Sequence, residues 1–413
     1  MVAEPVAAPV TRERGALLGQ WNSAVASYYL VVGTVALLVA LGLVMVLSSS
    51  TVSALSASDG ASPYGVFINQ ARFALMGLPL AWLASRLPVA WYKRFAWPVL
   101  LGTLAMLVLV PLIGRTVRGN RNWISLAGVQ IQPSEFAKLT LALWLGVVLA
   151  RKRPLLHQWA HVVVPGVVVA AAAIGLVLLG HDLGTALILM VLVAGALFVA
   201  GVPMRFFGVG LAVTAFVVVQ VAQMSDSRVR RITEFFNEGC DRQGACYQTT
   251  RGLYGLGTGG ITGIGLGESR EKWSYLPEAH NDFIFAILGE ELGLLGTLLV
   301  LGLFGVLAFA MTRIVRRHPD PFVQITTGAI CAWVLGQALL NIAVVIGLMP
   351  VVGVPLPLVS AGGSALVTTM VAMGVVVSFA RSEPGAAEAL AARPGVVRRS
   401  LAVVGLSRRR TRG

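Results

Sequence analysis

Several ionisable residues lie directly before a long apolar stretch in the segment 275 to 296, YLPEAHNDFIFAILGEELGLLG. Glu278, His280 and Asp282 belong to its polar part, and the residues that follow Asp282 are mostly apolar. A carboxylate within hydrogen-bond reach of a hydroxyl can accept its proton as a general base. Ionisable groups at membrane depth are costly and usually functional, so we expect a site around Asp282. The alternative is that Asp282 only caps the following helix.

A second polar group lies in the segment 119 to 138, GNRNWISLAGVQIQPSEFAK. Glu135 and Lys138 are three residues apart, which places them on one face of a helix that Pro133 can start. This spacing alone fits a structural ion pair as well as a functional site. Arg121 favours function, because a guanidinium binds a phosphate group with two hydrogen bonds.

Two further segments predict close backbone contacts. The segment 252 to 272 is rich in glycine. No strand precedes its GxGxxG pattern, so this pattern does not predict a nucleotide site. The glycines instead predict that the backbone approaches another helix or a substrate closely. The segment 349 to 364, MPVVGVPLPLVSAGGS, predicts irregular backbone, which a membrane tolerates only inside protein or along a cavity. We take Ser360, Gly362 and Gly363 as candidate substrate-binding residues, although a purely structural re-entrant turn fits the same pattern.

The composition excludes an ordinary soluble enzyme. Of 413 residues, 56% are hydrophobic and only 12% are charged, and the mean hydropathy is +0.80. These values are typical of a polytopic helical membrane protein. The net charge of +14 includes a basic C-terminal tail, which favours contact with anionic lipids over nucleic-acid binding.

Ten apolar runs are about long enough to cross a membrane as helices, which predicts an all-α polytopic fold. They lie at about 28 to 50, 71 to 87, 95 to 113, 137 to 151, 161 to 180, 183 to 201, 204 to 224, 282 to 312, 322 to 348 and 358 to 381.

The distribution of Lys and Arg among the short loops predicts that both termini are cytoplasmic. The chain then has a cytoplasmic segment at 1 to 27, a membrane domain at 28 to 381 and a basic cytoplasmic tail at 382 to 413. Residues 225 to 281 form a large extracytoplasmic loop. Arg121 falls in a shorter outer segment with other arginines, which indicates an anionic partner on the outer face.

The large loop contains Cys240 and Cys246 in the sequence EGCDRQGACYQ. These residues could close a small disulfide ring in an oxidising compartment, and the alternative is two free thiols.

Four stretches resemble, in the same order, the motifs of the SEDS family (shape, elongation, division and sporulation). The resemblance covers about residues 28 to 381. Within it, the sequences PEAH and GEELG are more similar to those of the division members than to those of the elongation members. The four stretches are WISLAGVQIQPSEFAKL, HDLGTAL, YLPEAHNDFIFAILGEELGLLG and GLMPVVGVPLPLVSAGGS.

The resemblance implies a peptidoglycan glycosyltransferase that polymerises lipid II at the division septum, on the outer face of the bacterial cytoplasmic membrane. It implies Asp282 as general base, Lys138 and Arg121 as cations for the pyrophosphate leaving group, and Glu135 as their support. It also implies a divalent cation, Mg²⁺ or Mn²⁺, near Asp282, with no organic cofactor. The implied partners are a class B penicillin-binding protein and other divisome proteins.

The chain departs from the family pattern at three positions. Asn122 replaces the usual arginine before the tryptophan, Ala361 replaces a tyrosine, and His181 replaces a proline. The first change puts the phosphate role of Arg121 in question.

A lipid II flippase or transporter is the alternative function, since it must also bind a polyprenyl lipid. A transporter needs ionisable groups along a path between both faces, whereas most of these cluster at the outer side. A purely structural scaffold is disfavoured by the costly charges at Asp282, Glu135 and Lys138.

Overall fold

A computed structural model describes residues 25 to 57, 62 to 117, 120 to 126, 129 to 223, 246 to 273 and 275 to 391, together with Ser23, Val229, Thr233 and Phe235. Most of these residues form α-helices. The helices are α1 (Ala26–Ala57), α2 (Gly65–Arg86), α3 (Val89–Ile113), α4 (Pro133–Lys152), α5 (Trp159–Val162), α6 (Val168–Leu179), α7 (Leu183–Ala200), α8 (Met204–Gln223), α9 (Tyr247–Gly259), α10 (Ile284–Arg317), α11 (Pro321–Val345), α12 (Gly363–Arg381) and α13 (Ala386–Ala391).

Within the described residues, nine helical spans are long and apolar enough to cross a membrane. They match nine of the ten predicted runs, and α5 and α6 together form one of them, Trp159–Leu179. The remaining run corresponds to α8, whose apolar part, Met204–Gln220, is shorter. The fold therefore confirms a polytopic helical membrane protein with about ten membrane helices. The cytoplasmic location of both termini stays a prediction, since residues 1 to 22 and those beyond 391 lie outside the described part.

A small β-sheet between α3 and α4 accompanies the predicted helical fold. Its strands are β1 (Arg115–Val117), β2 (Asn120–Leu126) and β3 (Val129–Ile131), and they pair antiparallel in the order β1-β2-β3. Backbone groups that leave a helix beside an apolar bundle still need partners, and an antiparallel meander supplies them locally. The strands are too short and too polar to show in a search for membrane-length runs.

The centre of the bundle is formed by α4, α11 and α12, most of whose residues are buried. Small residues let α7 approach α11 closely, as is common between membrane helices. A Cβ atom added to Gly195 would lie 2.2 Å from the Cβ of Ala332, and one added to Gly328 would lie 2.5 Å from Val199. The outer helices, among them α2, α3 and α8, expose many apolar side chains, as a lipid-facing surface requires.

A break divides α10 at Gly293, whose φ is +67°. The glycine-rich segment 259 to 265 supplies hydrogen-bond partners for the backbone groups around this break. An added Cβ at Gly263 would lie 2.1 Å from the carbonyl oxygen of Glu291, so the approach requires glycine. This confirms the predicted close packing of the segment against a helix. The hydrogen bonds run from Leu294 N to Gly260 O, Leu295 N to Ile261 O, Ile264 N to Glu290 O and Gly265 N to Glu291 O.

Candidate active site

Asp282 lies in a turn just before α10, which begins at Ile284 with Phe283 as its N-cap residue. Asp282 is therefore not the N-cap of this helix. Its backbone carbonyl accepts a hydrogen bond of 2.7 Å from Nδ2 of Asn341 on α11. Its carboxylate lies beside Gly353, because a Cβ atom added there would be 3.7 Å from Oδ2 of Asp282.

A small pocket opens beside this carboxylate. Asp282 and Asn341 are its polar side chains, and the rest of its described lining is aliphatic side chains and a glycine. Apolar walls lower the local dielectric and so strengthen the electrostatic interactions of a carboxylate. The lining residues are Asp282, Leu340, Asn341, Val344, Val352, Gly353 and Val354.

The turn that precedes Asp282 is tied to the irregular segment between α11 and α12. Nδ2 of Asn281 donates to the Glu278 carboxylate at 2.7 Å, and Oγ of Ser360 donates to the Asn281 carbonyl at 2.7 Å. The Ala361 N–H donates to the His280 carbonyl at 3.0 Å. The structure thus brings Glu278, His280 and Ser360 together with Asp282, while their contact with a substrate stays a prediction.

Backbone strain is concentrated at this end of the bundle. Among the described residues other than glycine, only His181, Glu278 and Leu358 have positive φ values, of 64°, 58° and 65°. Each such residue costs about 1–2 kcal/mol, and strained backbone often marks functional sites. Glu278 lies in the Asp282 turn and Leu358 lies two residues before Ser360, so the strain surrounds the predicted site.

Gln70 of α2 holds the start of α12. Its Nε2 donates to the Ser360 carbonyl at 3.0 Å, and its Oε1 accepts from the Gly362 N–H at 3.2 Å. Gly363 has a φ of +31° and faces the ring of Phe73, with 3.1 Å between an added Cβ and that ring. In this structure Gly362 and Gly363 pack against α2, and a substrate contact for them stays a prediction.

Glu135 and Lys138 form a buried ion pair of 2.8 Å on α4. Nζ of Lys138 also donates to Oε1 of Gln337 at 3.1 Å and lies 5.0 Å from the centre of the Trp333 ring. Lys138 is only 2% exposed, so its charge acts inside the bundle. Burying a charge is costly unless it is paired, and this set of contacts provides the pairing.

Two amide side chains of α11 connect this ion pair with Asp282. Gln337 accepts from Lys138 and donates through Nε2 to the Pro355 carbonyl at 2.9 Å. Asn341, one helical turn later, donates to the Val354 carbonyl and to the Asp282 carbonyl, both at 2.7 Å. The adjacent carbonyls of residues 354 and 355 therefore join the Lys138 group to the Asp282 turn.

Arg121 lies on β2 and its side chain is exposed. Its Nε donates to the Gly114 carbonyl at 2.9 Å and its backbone N–H donates to the Gly180 carbonyl at 3.1 Å. Asp182, two residues after Gly180, caps α7 by accepting from the Thr185 N–H at 2.9 Å. Arg121 is the more accessible of the two cations predicted for the leaving group, since Lys138 is buried.

The acids Glu290 and Glu291 are each 1% exposed, and both have partners. Glu290 accepts from Oγ of Ser269 and from the Arg270 N–H, and Glu291 accepts from Ser48 of α1 at 2.6 Å. The ammonium group of Lys272 lies 3.6 Å from Glu291. Burial raises the pKa of nearby Glu271, and the Glu290 carboxylate adds to this increase against the lowering effect of Arg251.

The predicted disulfide falls partly outside the described residues. Cys246, which precedes α9, is disulfide-bonded, and Cys240 lies in the part of the chain that is not described, so the pairing stays a prediction.

Among the described residues no group of three or more His, Cys, Asp or Glu is arranged to hold a metal ion. Asp282 is therefore the one ionisable side chain that the described pocket lining offers to a cation.

Four residues that position the site were missed from the sequence: Gln70, Gln337, Asn341 and Gly353. Gln337 and Asn341 did carry a signal, because they are uncharged polar residues four apart in an otherwise apolar run, which places them on one helix face. Gly353 carried no signal in the sequence, because its positive φ of 77° and its position beside Asp282 are visible only in the structure.

These features define a polytopic membrane protein with a carboxylate site at one end of its helix bundle, enclosed by an irregular segment between two buried helices. The family model for FtsW, RodA and SpoVE, described as "Cell cycle protein", matches residues 28 to 384. The chain therefore belongs to this family, which confirms the SEDS resemblance.

Named relatives and solved structures agree with this assignment. A probable peptidoglycan glycosyltransferase FtsW of Mycobacterium tuberculosis is 41% identical over 380 residues, which is 92% of this chain and 72% of the relative. The protein of the same name from Coxiella burnetii is 37% identical over 85% of this chain and 95% of its own length.

The rod shape determining protein RodA of Thermus thermophilus has a similar fold, with a TM-score of 0.64, 28% identity, and coverage of 86% of this chain and 97% of RodA. A chain from a peptidoglycan synthase complex, described as coordinating polymerization and crosslinking, gives a TM-score of 0.68 at 28% identity. It covers 85% of this chain and 96% of its own length.

Proposed function

We propose that this protein is a peptidoglycan glycosyltransferase that polymerises lipid II, with Asp282 as the general base. The observation that carries this proposal is the Asp282 carboxylate at an apolar-walled pocket, with its backbone fixed by Asn341. The names of the relatives support the reaction class. Two relatives named FtsW, with 41% and 37% identity to this chain, support the division branch of the family.

The proposed reaction forms one glycosidic bond at each step. The 4-hydroxyl oxygen of the acceptor sugar attacks the anomeric carbon of the donor, and the bond from that carbon to the pyrophosphate oxygen breaks. The hydroxyl proton passes to the Asp282 carboxylate, which must lie within hydrogen-bond reach of it. Polyprenyl pyrophosphate leaves from the opposite face, so the configuration at the anomeric carbon inverts.

The leaving group gains negative charge, and cations placed near it stabilise the transition state. We assign this role to Arg121, whose exposed guanidinium supports direct contact, and to Lys138, whose buried charge acts from a distance. Glu135 holds Lys138 in place through their ion pair. We assign Glu278, His280, Ser360, Gly362 and Gly363 to the substrate-binding surface that surrounds Asp282.

A divalent cation, Mg²⁺ or Mn²⁺, fits this site when the substrate contributes ligands. Mg²⁺ is commonly held by one or two carboxylates together with phosphate oxygens, and Asp282 supplies one carboxylate. When bound, the cation would neutralise charge on the pyrophosphate. We propose no organic cofactor.

Glu290 and Glu291 lie deeper in α10 than Asp282 does, where a transporter would need ionisable groups along its path. Both are hydrogen-bonded to neighbouring elements, and Glu291 also lies beside Lys272. These contacts stabilise the fold and give the two acids a structural role. The polymerase is therefore the better-supported function.

We propose that the site faces the outside of the cytoplasmic membrane at the division septum, where lipid II is used. The protein would act there with a class B penicillin-binding protein, which crosslinks the new strand, and with other divisome proteins. The similarity to a chain of a complex that coordinates polymerization and crosslinking supports such a partner. Nucleic acid is not among the proposed partners.

Replacing Asp282 tests the general base. We expect Asp282→Asn and Asp282→Ala to lower lipid II polymerisation by at least about 100-fold, since general base catalysis contributes 10²–10⁴-fold. The measurement is glycan product from purified protein with its transpeptidase partner and Mg²⁺, at matched folding and partner binding. Polymerisation that survives both changes would remove Asp282 from the chemistry, and an inactive wild-type complex would favour transport.

Gly353→Ala tests the space beside the carboxylate. The added methyl group would make a van der Waals contact of 3.7 Å with Oδ2 of Asp282 and would occupy pocket space beside it. We therefore expect about a tenfold or larger loss of polymerisation, because the acceptor hydroxyl could not reach the carboxylate in the productive geometry. Gly347→Ala is the matched control, because Gly347 has nearly the same φ, +76° against +77°, and contacts Leu253 and Thr249 instead. Equal losses in both variants would show that backbone strain, not crowding at Asp282, is responsible.

Chelation tests the proposed cation. We expect EDTA to abolish polymerisation and added Mg²⁺ or Mn²⁺ to restore it, since the pyrophosphate charge would otherwise lack its counterion. Asp282→Glu should retain part of the activity and shift the cation concentration needed for half-maximal rate. Full activity of the wild type in excess EDTA would exclude a required cation.

Depletion in the source bacterium tests the septal role. A protein of septal synthesis should give filamentous cells when depleted, because division stops while elongation continues. Complementation with the wild type, but not with Asp282→Ala, should restore division. Rounded cells would instead assign the protein to elongation.

A further inference from the structure

Asn341 is buried, at 2% exposure, yet its amide is only half satisfied. Its Nδ2 donates to the carbonyls of Asp282 and Val354, both at 2.7 Å. Because both partners can only accept, the nitrogen must face them and the orientation of the amide is fixed. Oδ1 is then directed away from these carbonyls, and it has no hydrogen-bond partner within the described part of the chain.

Buried polar atoms in native proteins nearly always have a hydrogen-bond partner, and exceptions call for an explanation. Asn341 lines the pocket beside Asp282, where the other described lining residues apart from Asp282 are apolar. Asn341 and Asp282 are the two residues of this pocket with polar side chains, and an amide oxygen and a carboxylate oxygen both act as acceptors. A ligand that hydrogen-bonds to both side chains must therefore carry two donors close together.

A sugar ring has this property, because hydroxyl groups on neighbouring carbons are adjacent donors. In the proposed reaction, which this inference takes as its basis, the attacking 4-hydroxyl donates to Asp282. The hydroxyls that flank it, on C3 and C6 of the same sugar, are then the nearest further donors. An amide oxygen that accepts from one of them would fix the rotation of the sugar about its attacking oxygen.

We propose that Asn341 positions the acceptor sugar as well as the base. Its Nδ2 holds the Asp282 turn against the irregular segment, and its Oδ1 accepts a hydrogen bond from a hydroxyl that flanks the attacking 4-hydroxyl. One side chain thus sets the relative orientation of the proton acceptor and the nucleophile. Small errors in that geometry lower rates by about 10²-fold.

The test compares the wild type and Asn341→Leu, each with lipid II and with analogues whose non-reducing sugar lacks the 3- or the 6-hydroxyl. In the wild type, loss of the recognised hydroxyl should lower kcat/KM by up to about tenfold, the worth of one net hydrogen bond. In Asn341→Leu, polymerisation of lipid II itself should fall, and the same analogue should give no further loss. Such non-additivity measures a direct interaction, which a merely structural role would not produce.

Asn341→Asp is the second variant, since it keeps an oxygen acceptor of similar shape. It should still discriminate against the deoxy analogue, whatever its absolute rate. Ser378→Ala controls for stability, because it removes the hydrogen bond from Ser378 to the Leu87 carbonyl, away from the pocket. It should lower thermal stability without changing the analogue ratio.

Two results would overturn the proposal. One is an analogue ratio that is the same in the wild type and in Asn341→Leu for both deoxy sugars. The other is recovery of Asn341→Leu by excess Mg²⁺, which would make Oδ1 a cation ligand. Failure of the proposed function is distinguishable from both, since the wild type would then make no glycan from lipid II.

Discussion

Irregular backbone inside an apolar helix bundle needs hydrogen-bond partners, and the site of this protein depends on how that need is met. Residues 346 to 362, between α11 and α12, form no regular secondary structure, yet Val354 and residues 356 to 360 are buried. Unpaired N–H and C=O groups there would cost several kcal/mol each. Gln70, Gln337, Asn341 and Ser360 supply partners in this segment, and Asn341 and Ser360 also fix the Asp282 turn.

Buried charges also need partners, and their contacts join elements that are distant in sequence. Lys138 and Glu135 lie on α4, but their contact with Gln337 connects them to α11. Glu291 on α10 accepts hydrogen bonds from Ser48 on α1. Breaking one partner of a buried pair is commonly costly, about 3–5 kcal/mol, because it leaves an uncompensated charge. These contacts therefore hold the helices that carry the site in one arrangement.

The membrane helices could be predicted because length and apolarity are properties of one continuous segment. Asp282 could be predicted because the charged residues around it stand out against an apolar helix. The role of Asn341 could not, since its two partners are 59 and 13 residues away in the chain. The extension of α1 to Ala57 was also missed, because the polar residues after Leu47 stay helical and Ser48 finds its partner on α10.

The break at Gly293 also bears on how the chain enters the membrane. A helix with an interrupted hydrogen-bond ladder is a poor unit for insertion on its own, since its free backbone groups would meet hydrocarbon. The segment that completes the ladder, residues 259 to 265, precedes α10 in the chain. It is therefore synthesised first and is present when α10 emerges. Shielding these backbone groups from hydrocarbon requires that the glycine-rich segment and α10 enter the membrane together, so that a re-entrant loop is a structural part of a transmembrane helix.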